Sequence, residues 1–191
     1  MQTLQNEILD FWFGRPGSAT YGQPRREWFR KIAAFDAEIH RRFGAAVERA
    51  LAGDFADWIA PRAVLARVLL LDQFTRNGFR GEPRAFAGDA LALATAEAAI
   101  ARGDDLALIP VERSFLYLPF AHAEDLAAQK RSVELCTRLR DETGYGDPLP
   151  WAEKHAEVIR LFGRYPHRNA VLGRESTPEE LAFLAAPGSR F

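Results

Sequence analysis

The stretch FDAEIHRRFGAAVERALAG, residues 35–53, carries an apolar side chain at every fourth position. These positions are Phe35, Ile39, Phe43, Val47 and Leu51. Since an α-helix completes a turn in about 3.6 residues, this spacing places them on one face and leaves charged residues on the other. The pattern predicts an amphipathic helix from about Asp36 to Ala52, and Gly53 is typical of the residue that follows a helix end.

The same helical period recurs along the rest of the chain, with typical start and stop residues between the segments. The predicted helices are one from the cap Thr3 to Gly14, one from Pro61 to about Phe74, one from Pro83 to Arg102, a short one from Pro110 that breaks near Pro119, one from about His122 to Glu142, one from Trp151 to Phe162, and a last one after the cap Thr177. No run of alternating β-branched residues is bounded by hairpin turns. We therefore predict an all-α fold of seven to nine helices in antiparallel pairs, forming one domain over residues 1–191.

Composition and charge argue against several classes of protein. The chain has 191 residues, of which 48% are hydrophobic, so it can bury a substantial core. Its formal net charge is -1, which gives no bulk attraction to nucleic acid. The single Cys136 cannot form an internal disulfide, and VLLL at residues 68–71 is too short to cross a bilayer. We expect a cytoplasmic protein that binds neither nucleic acid nor membranes, and we leave its oligomeric state open.

Four of the predicted helices direct an ionisable side chain toward the interior. The residues concerned are Asp72, Asp89, His122 and His155, with Asp125 at the edge of its stripe and Arg76 one turn after Asp72. A buried charge without a partner is strongly unfavourable. These side chains therefore either pair in an internal network that ties the helices together, or line a polar cavity.

Two Arg-Asn pairs follow apolar helices, Arg76-Asn77 and Arg168-Asn169, and the second lies in a segment with further cations such as Arg164. An arginine guanidinium binds a carboxylate or a phosphate through two parallel hydrogen bonds. We predict that the two pairs meet at one end of the domain and form a pocket for a small anionic ligand. The alternative is that these side chains cap helix ends by binding the last carbonyl oxygens.

Two other chemistries fit the same set of residues. His122, Asp125 and His155 are the candidates for acid and base catalysis. The histidines and carboxylates also have the right atoms for a metal ion. However, no His-x-x-x-His or Glu-x-x-His spacing fixes two ligands on one helical turn, so we assign no metal site and leave any cofactor open.

Three motifs resemble those of the bacterial domain of unknown function 924 family: LLLDQFTRNGFRGEPRAFAGDALALA, RSFLYLPFAHAEDLAAQKRSVEL and FGRYPHRNAVLGRESTPEELAFL. The resemblance runs from about Leu4 to Leu184 and implies a tetratricopeptide-like, all-helical fold. It places the family's motif positions on Asp72, Gln73, Arg76, Asn77, Arg80, Phe86, Asp89, Pro119, Phe120, His122, Glu124, Asp125, Gln129, His155, Arg164, Pro166, His167, Arg168, Asn169 and Arg174. These positions include every ionisable residue that helical spacing directs inward.

We therefore predict a site for a small carboxylate- or phosphate-bearing ligand. Its predicted binding residues are Asp72, Arg76, Asn77, His122, Arg164, Arg168 and Asn169. The alternative function is a non-enzymatic, tetratricopeptide-like scaffold for a peptide or protein partner. Such a scaffold would expose an apolar groove, for example near Trp28, Phe29 or Trp58.

Overall fold

A computed structural model describes residues 3–189 and arranges them as eight helices. These are α1 (Leu4–Phe13), α2 (Ala33–Leu51), α3 (Pro61–Val68, continued by a π-helical turn at Leu69–Phe74 and by Thr75–Gly78), α4 (Asp89–Arg102), α5 (Pro110–His122), α6 (Leu126–Thr143), α7 (Leu149–Phe162) and α8 (Pro178–Ala185). The described residues contain no β-strand. The prediction of an all-α fold with seven to nine helices is therefore confirmed.

Two predicted boundaries around prolines are wrong. The helix expected to begin at Pro83 begins instead at Asp89, because Pro83–Phe86 form a separate 3₁₀ turn. The break expected near Pro119 does not occur, and α5 continues through this buried proline to its end. Local preference alone disfavours proline in a helix interior, but packing of the surrounding apolar residues overrides it here.

The start of α6 also differs from its prediction. We placed it near His122, but the helix begins at Leu126 because Asp125 has extended backbone angles. The Asp125 carboxylate accepts a hydrogen bond from the Ala128 N–H at 2.8 Å and so caps the helix. Asp125 is exposed rather than directed inward, which removes the geometric reason for choosing it as a catalytic residue.

The aromatic core places α3 at the centre of the fold. Trp12 of α1 packs against Phe74 of α3 and Phe115 of α5, with ring centroids 5.4 and 5.6 Å apart. Phe43 of α2 meets the same Phe74 ring at 5.1 Å. Helix α3 is thus enclosed by α1, α2, α4 and α5, and any polar group on its inner face must find a partner inside the protein.

The middle of α3 widens into the π-helical turn Leu69–Phe74, which contains Asp72. A π-turn shifts backbone hydrogen bonds to the fifth residue, and such turns are frequent at functional sites. Two side chains reinforce it: the Thr75 hydroxyl donates to the Leu71 carbonyl at 2.8 Å, and Arg76 Nη1 donates to the Asp72 carbonyl at 2.8 Å. The local structure that positions Asp72 therefore depends on the residues that follow it.

We expect Thr75→Val to lower the free energy of unfolding by about 1 to 3 kcal/mol, because it leaves a buried carbonyl without its side-chain donor. Thr75 is fully buried, and valine has almost the same shape. Urea unfolding monitored by circular dichroism measures the change. The matched control is Thr95→Val, which removes the same type of bond, to the Leu91 carbonyl, from a half-buried position in α4. Equal losses in the two variants would contradict a special role for the π-turn.

No helix within residues 3–189 combines the length and the apolar character needed to span a bilayer.

Candidate functional site

Asp72 is the centre of a polar cluster between α3, α4, α5 and the segment after α7. Its side chain is fully buried, and three neighbouring side chains contact its carboxylate. His122 Nδ1 donates to Oδ1 at 2.6 Å, Gln73 Nε2 donates to Oδ2 at 2.6 Å, and Arg76 Nη1 lies 3.0 Å from Oδ1. Burial alone would raise the pKa of Asp72, but Arg76 and His122 outweigh it and hold the pKa well below its usual range.

Two arginines converge on Asp89, the first residue of α4. Arg76 binds both carboxylate oxygens, at 2.8 and 3.0 Å, and Arg168 Nη1 binds Oδ2 at 3.0 Å. The Arg168 guanidinium lies between two aromatic rings, 4.6 Å from the Phe86 centroid and 4.7 Å from the Tyr165 centroid. These contacts fix the orientation of Arg168 and bring the two Arg-Asn segments together through their arginines.

Part of the cluster covers the carboxyl end of α5, and one arginine of the Arg-Asn pairs caps that end as the alternative to a pocket predicts. Arg168 Nη2 donates to the His122 carbonyl at 2.9 Å. Gln129 Nε2 lies 2.9 Å from the Ala121 carbonyl oxygen, which also accepts a hydrogen bond from the Tyr165 hydroxyl. The last carbonyls of α5 therefore find partners inside the protein rather than in water.

Two histidine rings approach each other beside this helix end, and a third packs against the neighbouring Tyr165 ring. The His122 and His155 centroids are 6.2 Å apart, and Tyr165 lies between His155 and His167 at 5.7 and 5.4 Å. Burial lowers the pKa of His155 to about 4, with a further contribution from His122, and burial together with Arg168 lowers the pKa of His167 to about 4. Burial and Arg76 also lower the pKa of His122, against the opposing effect of Asp72. The three imidazoles are therefore neutral near pH 7.

The remaining predicted binding residues lie outside the cluster around Asp72. Asn77 donates to Asp36 of α2 at 2.7 Å. Asn169 and Arg164 both donate to Glu180 of α8, at 3.0 and 2.7 Å. The two arginines of the Arg-Asn pairs thus meet, but the two asparagines do not. The two Arg-Asn segments meet through their arginines only, because neighbouring side chains on a helical turn point in different directions.

Several residues that complete the cluster were absent from the predicted binding set: Gln73, Phe86, Asp89, Glu124, Gln129, Tyr165 and Arg174. Glu124 accepts the Tyr165 N–H at 2.8 Å and binds Arg174 through both oxygens, at 2.6 and 2.9 Å. A sequence signal existed for Gln129, which interrupts the apolar stripe of α6. Tyr165 gave no comparable signal, since an aromatic residue after a helix is ordinary in a core.

Each charged side chain of the cluster has an oppositely charged partner. Asp72 and Asp89 face Arg76 and Arg168, and Glu124 faces Arg174. Within residues 3–189 no group of three or more His, Cys, Asp or Glu side chains is arranged to hold a metal ion. The accessible polar groups of the cluster include the His122 ring, with 15% of its side chain accessible, Arg76, with 18%, and the Asp89 carboxylate, with 19%.

Comparison with known proteins assigns the chain to a family. Residues 8–188 match the family described as bacterial protein of unknown function, DUF924. The chain belongs to the DUF924 family. A solved structure titled protein of unknown function ATU0120, from Agrobacterium tumefaciens, shares 43% sequence identity, and the alignment covers 95% of this chain and 97% of that one with a TM-score of 0.85. None of the curated proteins matches the chain. The all-helical architecture and the polar cluster therefore belong to a DUF924 protein.

Proposed function

We propose that the polar cluster binds a small molecule carrying an acidic group, and that Asp72 and His122 act together as a general base. The observation that supports this best is the Asp72–His122 hydrogen bond, 2.6 Å long, between a fully buried carboxylate and a partly accessible imidazole. An ionised carboxylate at Nδ1 requires that nitrogen to carry the proton. The opposite nitrogen, Nε2, then keeps a lone pair that can accept a proton from a ligand.

The low pKa of His122 is consistent with this role. Burial and Arg76 keep the ring neutral near pH 7, so it is present as a base rather than as an acid. Asp72 stabilises the imidazolium that forms once the proton has been accepted, and Gln73 and Arg76 hold Asp72 in place. A buried carboxylate in this arrangement orients the histidine and favours its protonated state during the reaction.

Arg76 and Arg168 supply the positive charge for the acidic group of the ligand. Their guanidinium groups meet beside the carboxyl end of α5, where His122 also lies. We assign a supporting role to Arg164, Asn77 and Asn169. Glu180 already binds Arg164 and Asn169, and Asp36 binds Asn77, all of them away from Asp72. His155 is assigned to the wall of the site, facing the His122 ring.

The alternative of a peptide-binding scaffold has weaker support. Trp28 is buried in the aromatic core, and Trp58 is stacked on Phe55 with ring centroids 4.3 Å apart. Phe29 is 75% exposed, but it is a single side chain packed against Phe115. Isolated apolar residues on a surface are common in monomeric proteins and do not by themselves form a groove.

His122→Asn is expected to weaken the binding of lactate, whose hydroxyl can donate to Nε2, at least about tenfold, while changing the free energy of unfolding by less than about 1 kcal/mol. The asparagine amide can still donate to Asp72, but it has no equivalent of Nε2. His122→Ala should in contrast cost about 1 to 3 kcal/mol, because Asp72 loses a donor. Calorimetry with lactate, acetate and inorganic phosphate measures binding, and thermal melts measure stability.

The control for these variants is His40→Asn, since His40 is an exposed residue of α2 and should affect neither property. Arg168→Ala should weaken binding at least about tenfold, as expected when a charge-assisted hydrogen bond is lost. If His122→Asn binds lactate as tightly as the unaltered protein does, the proposed function is wrong. If His122→Asn and His122→Ala lower the free energy of unfolding by the same amount, His122 has only a structural role in the hydrogen-bond network.

A further inference from the structure

Asp89 already occupies the place where an acidic ligand would meet both arginines. Three guanidinium N–H groups point at its two oxygens, two from Arg76 and one from Arg168. Both guanidinium groups also lie over the same Phe86 ring, at 5.7 and 4.6 Å from its centroid. This is the geometry with which arginines bind a free carboxylate, except that the carboxylate belongs to the protein itself.

Charge balance prevents a ligand anion from simply joining this group. The two arginines are already matched by Asp72 and Asp89, so an added anion would leave one negative charge without a partner in a poorly hydrated site. Asp72 cannot leave, since it is fully buried and three side chains contact it. An anion can therefore reach the arginines only by replacing Asp89.

The position of Asp89 permits this replacement. It is the first residue of α4, and 19% of its side chain is accessible to solvent. Rotation about its Cα–Cβ bond would turn the carboxylate toward water, where its charge is well solvated. The number of buried charges would then be unchanged, because a ligand carboxylate takes the place of the protein's own. Arg168 has a further donor for the ligand, since its buried Nε lacks a hydrogen-bond partner within residues 3–189.

We propose that Asp89 is an internal stand-in for the ligand and determines its class: the ligand is a carboxylic acid whose carboxylate displaces Asp89 from Arg76 and Arg168. This inference rests on the proposed function and sharpens it. Because a planar group with two oxygens occupies these donors in the protein, we expect a carboxylate rather than a tetrahedral phosphate as the preferred occupant. Displacement also makes binding selective, because only a ligand with enough additional contacts can compete with an attached carboxylate.

The test compares Asp89→Asn with the unaltered protein in calorimetric titrations with sodium acetate and with inorganic phosphate at constant ionic strength. We expect the affinity for acetate to rise at least about tenfold in Asp89→Asn, because the competing charge is gone while the arginines remain. The affinity for phosphate should rise less than the affinity for acetate. The matched control is Asp36→Asn, whose carboxylate also binds three donors, from Asn77 and Arg80, and has a similar accessibility of 15%. It should leave both affinities unchanged.

The outcomes separate this inference from the proposed function. If the unaltered protein and Asp89→Asn bind acetate equally, Asp89 is not displaced and the inference fails while the proposed function stands. If the affinity for phosphate rises as much as the affinity for acetate, the assignment of the ligand as a carboxylic acid fails. If neither protein binds either anion, both proposals fail. Asp89→Ser, which keeps a residue suited to a helix start, gives the same comparison should Asp89→Asn melt below the assay temperature.

Discussion

Gly88→Ala is expected to lower the free energy of unfolding by about 3 kcal/mol, the upper part of the usual range for overpacking in a core. A Cβ atom at residue 88 would lie 2.1 Å from the carbonyl oxygen of Leu71, and 2.9 Å from its carbonyl carbon. Both are backbone atoms of the π-turn in α3, which is enclosed on all sides and cannot move aside. Urea unfolding gives the change in stability directly.

The matched control for this substitution is Gly78→Ala. Gly78 ends α3 and has a negative φ angle, and a Cβ atom added there would meet no other atom within 4 Å. Alanine at this position should be neutral or stabilise the protein by up to about 1 kcal/mol, since it restricts the unfolded chain. A loss of less than about 1 kcal/mol in Gly88→Ala would contradict the close approach of residue 88 to the π-turn that we describe.

Asp72→Asn is expected to cost about 3 to 5 kcal/mol, the range found when one partner of a buried ion pair is removed. The substitution removes the ionised acceptor of the His122 ring. It also removes one of the two carboxylates that pair with Arg76, so that Asp89 is left to balance its charge. Because Asp72 raises the pKa of His122, its removal should lower that pKa further. Chemical denaturation and histidine titration by NMR measure the two effects. The control, Asp36→Asn, should cost about 1 kcal/mol or less, since Asp36 forms a partly exposed pair.

The pH dependence of stability has the same sign for the histidines and for Asp72. A histidine with a lowered folded pKa takes up its proton more readily in the unfolded state, so stability falls as the pH drops below about 6.5. The lowered pKa of Asp72 contributes stability that is present above about 4 and is lost at lower pH. In Asp72→Asn this second, more acidic loss should be reduced, whereas the loss caused by the histidines should persist. If stability falls equally below about pH 4 in Asp72→Asn and in the unaltered protein, the ionised state that we assign to Asp72 is contradicted.

The helical fold could be predicted from the sequence because local spacing carries that information. Apolar residues at every third or fourth position, with proline before and glycine after, marked most helices. The same reasoning placed Asp72 in the interior, since it continues an apolar line. It misjudged Asp125, because an acid at a helix start and an acid at the edge of a stripe have the same spacing, and only backbone angles separate them.

The partners within the site could not be predicted, because pairing depends on distances between distant parts of the chain. Arg76 and Arg168 share Asp89, although Asp89 and Arg168 are 79 positions apart in the sequence. Nothing in the spacing distinguishes this arrangement from one in which each arginine caps a helix alone. The π-turn is likewise invisible in the sequence, since helical spacing does not reveal the close approach of Gly88 to Leu71 or the bonds that Thr75 and Arg76 make to the turn.

The central claim is that Asp72 orients His122 so that Nε2 can accept a proton from a group of the bound ligand other than its carboxylate. Nitrogen-15 NMR of the histidine side chains during titration with sodium lactate tests it most directly, with His40 as the internal reference. We expect the His122 ring to carry its proton on Nδ1 before ligand is added, and its Nε2 signal to show a saturable shift afterward, with no change at His40. A proton on Nε2 in the free protein, or a His122 signal that follows His40 throughout, would contradict it.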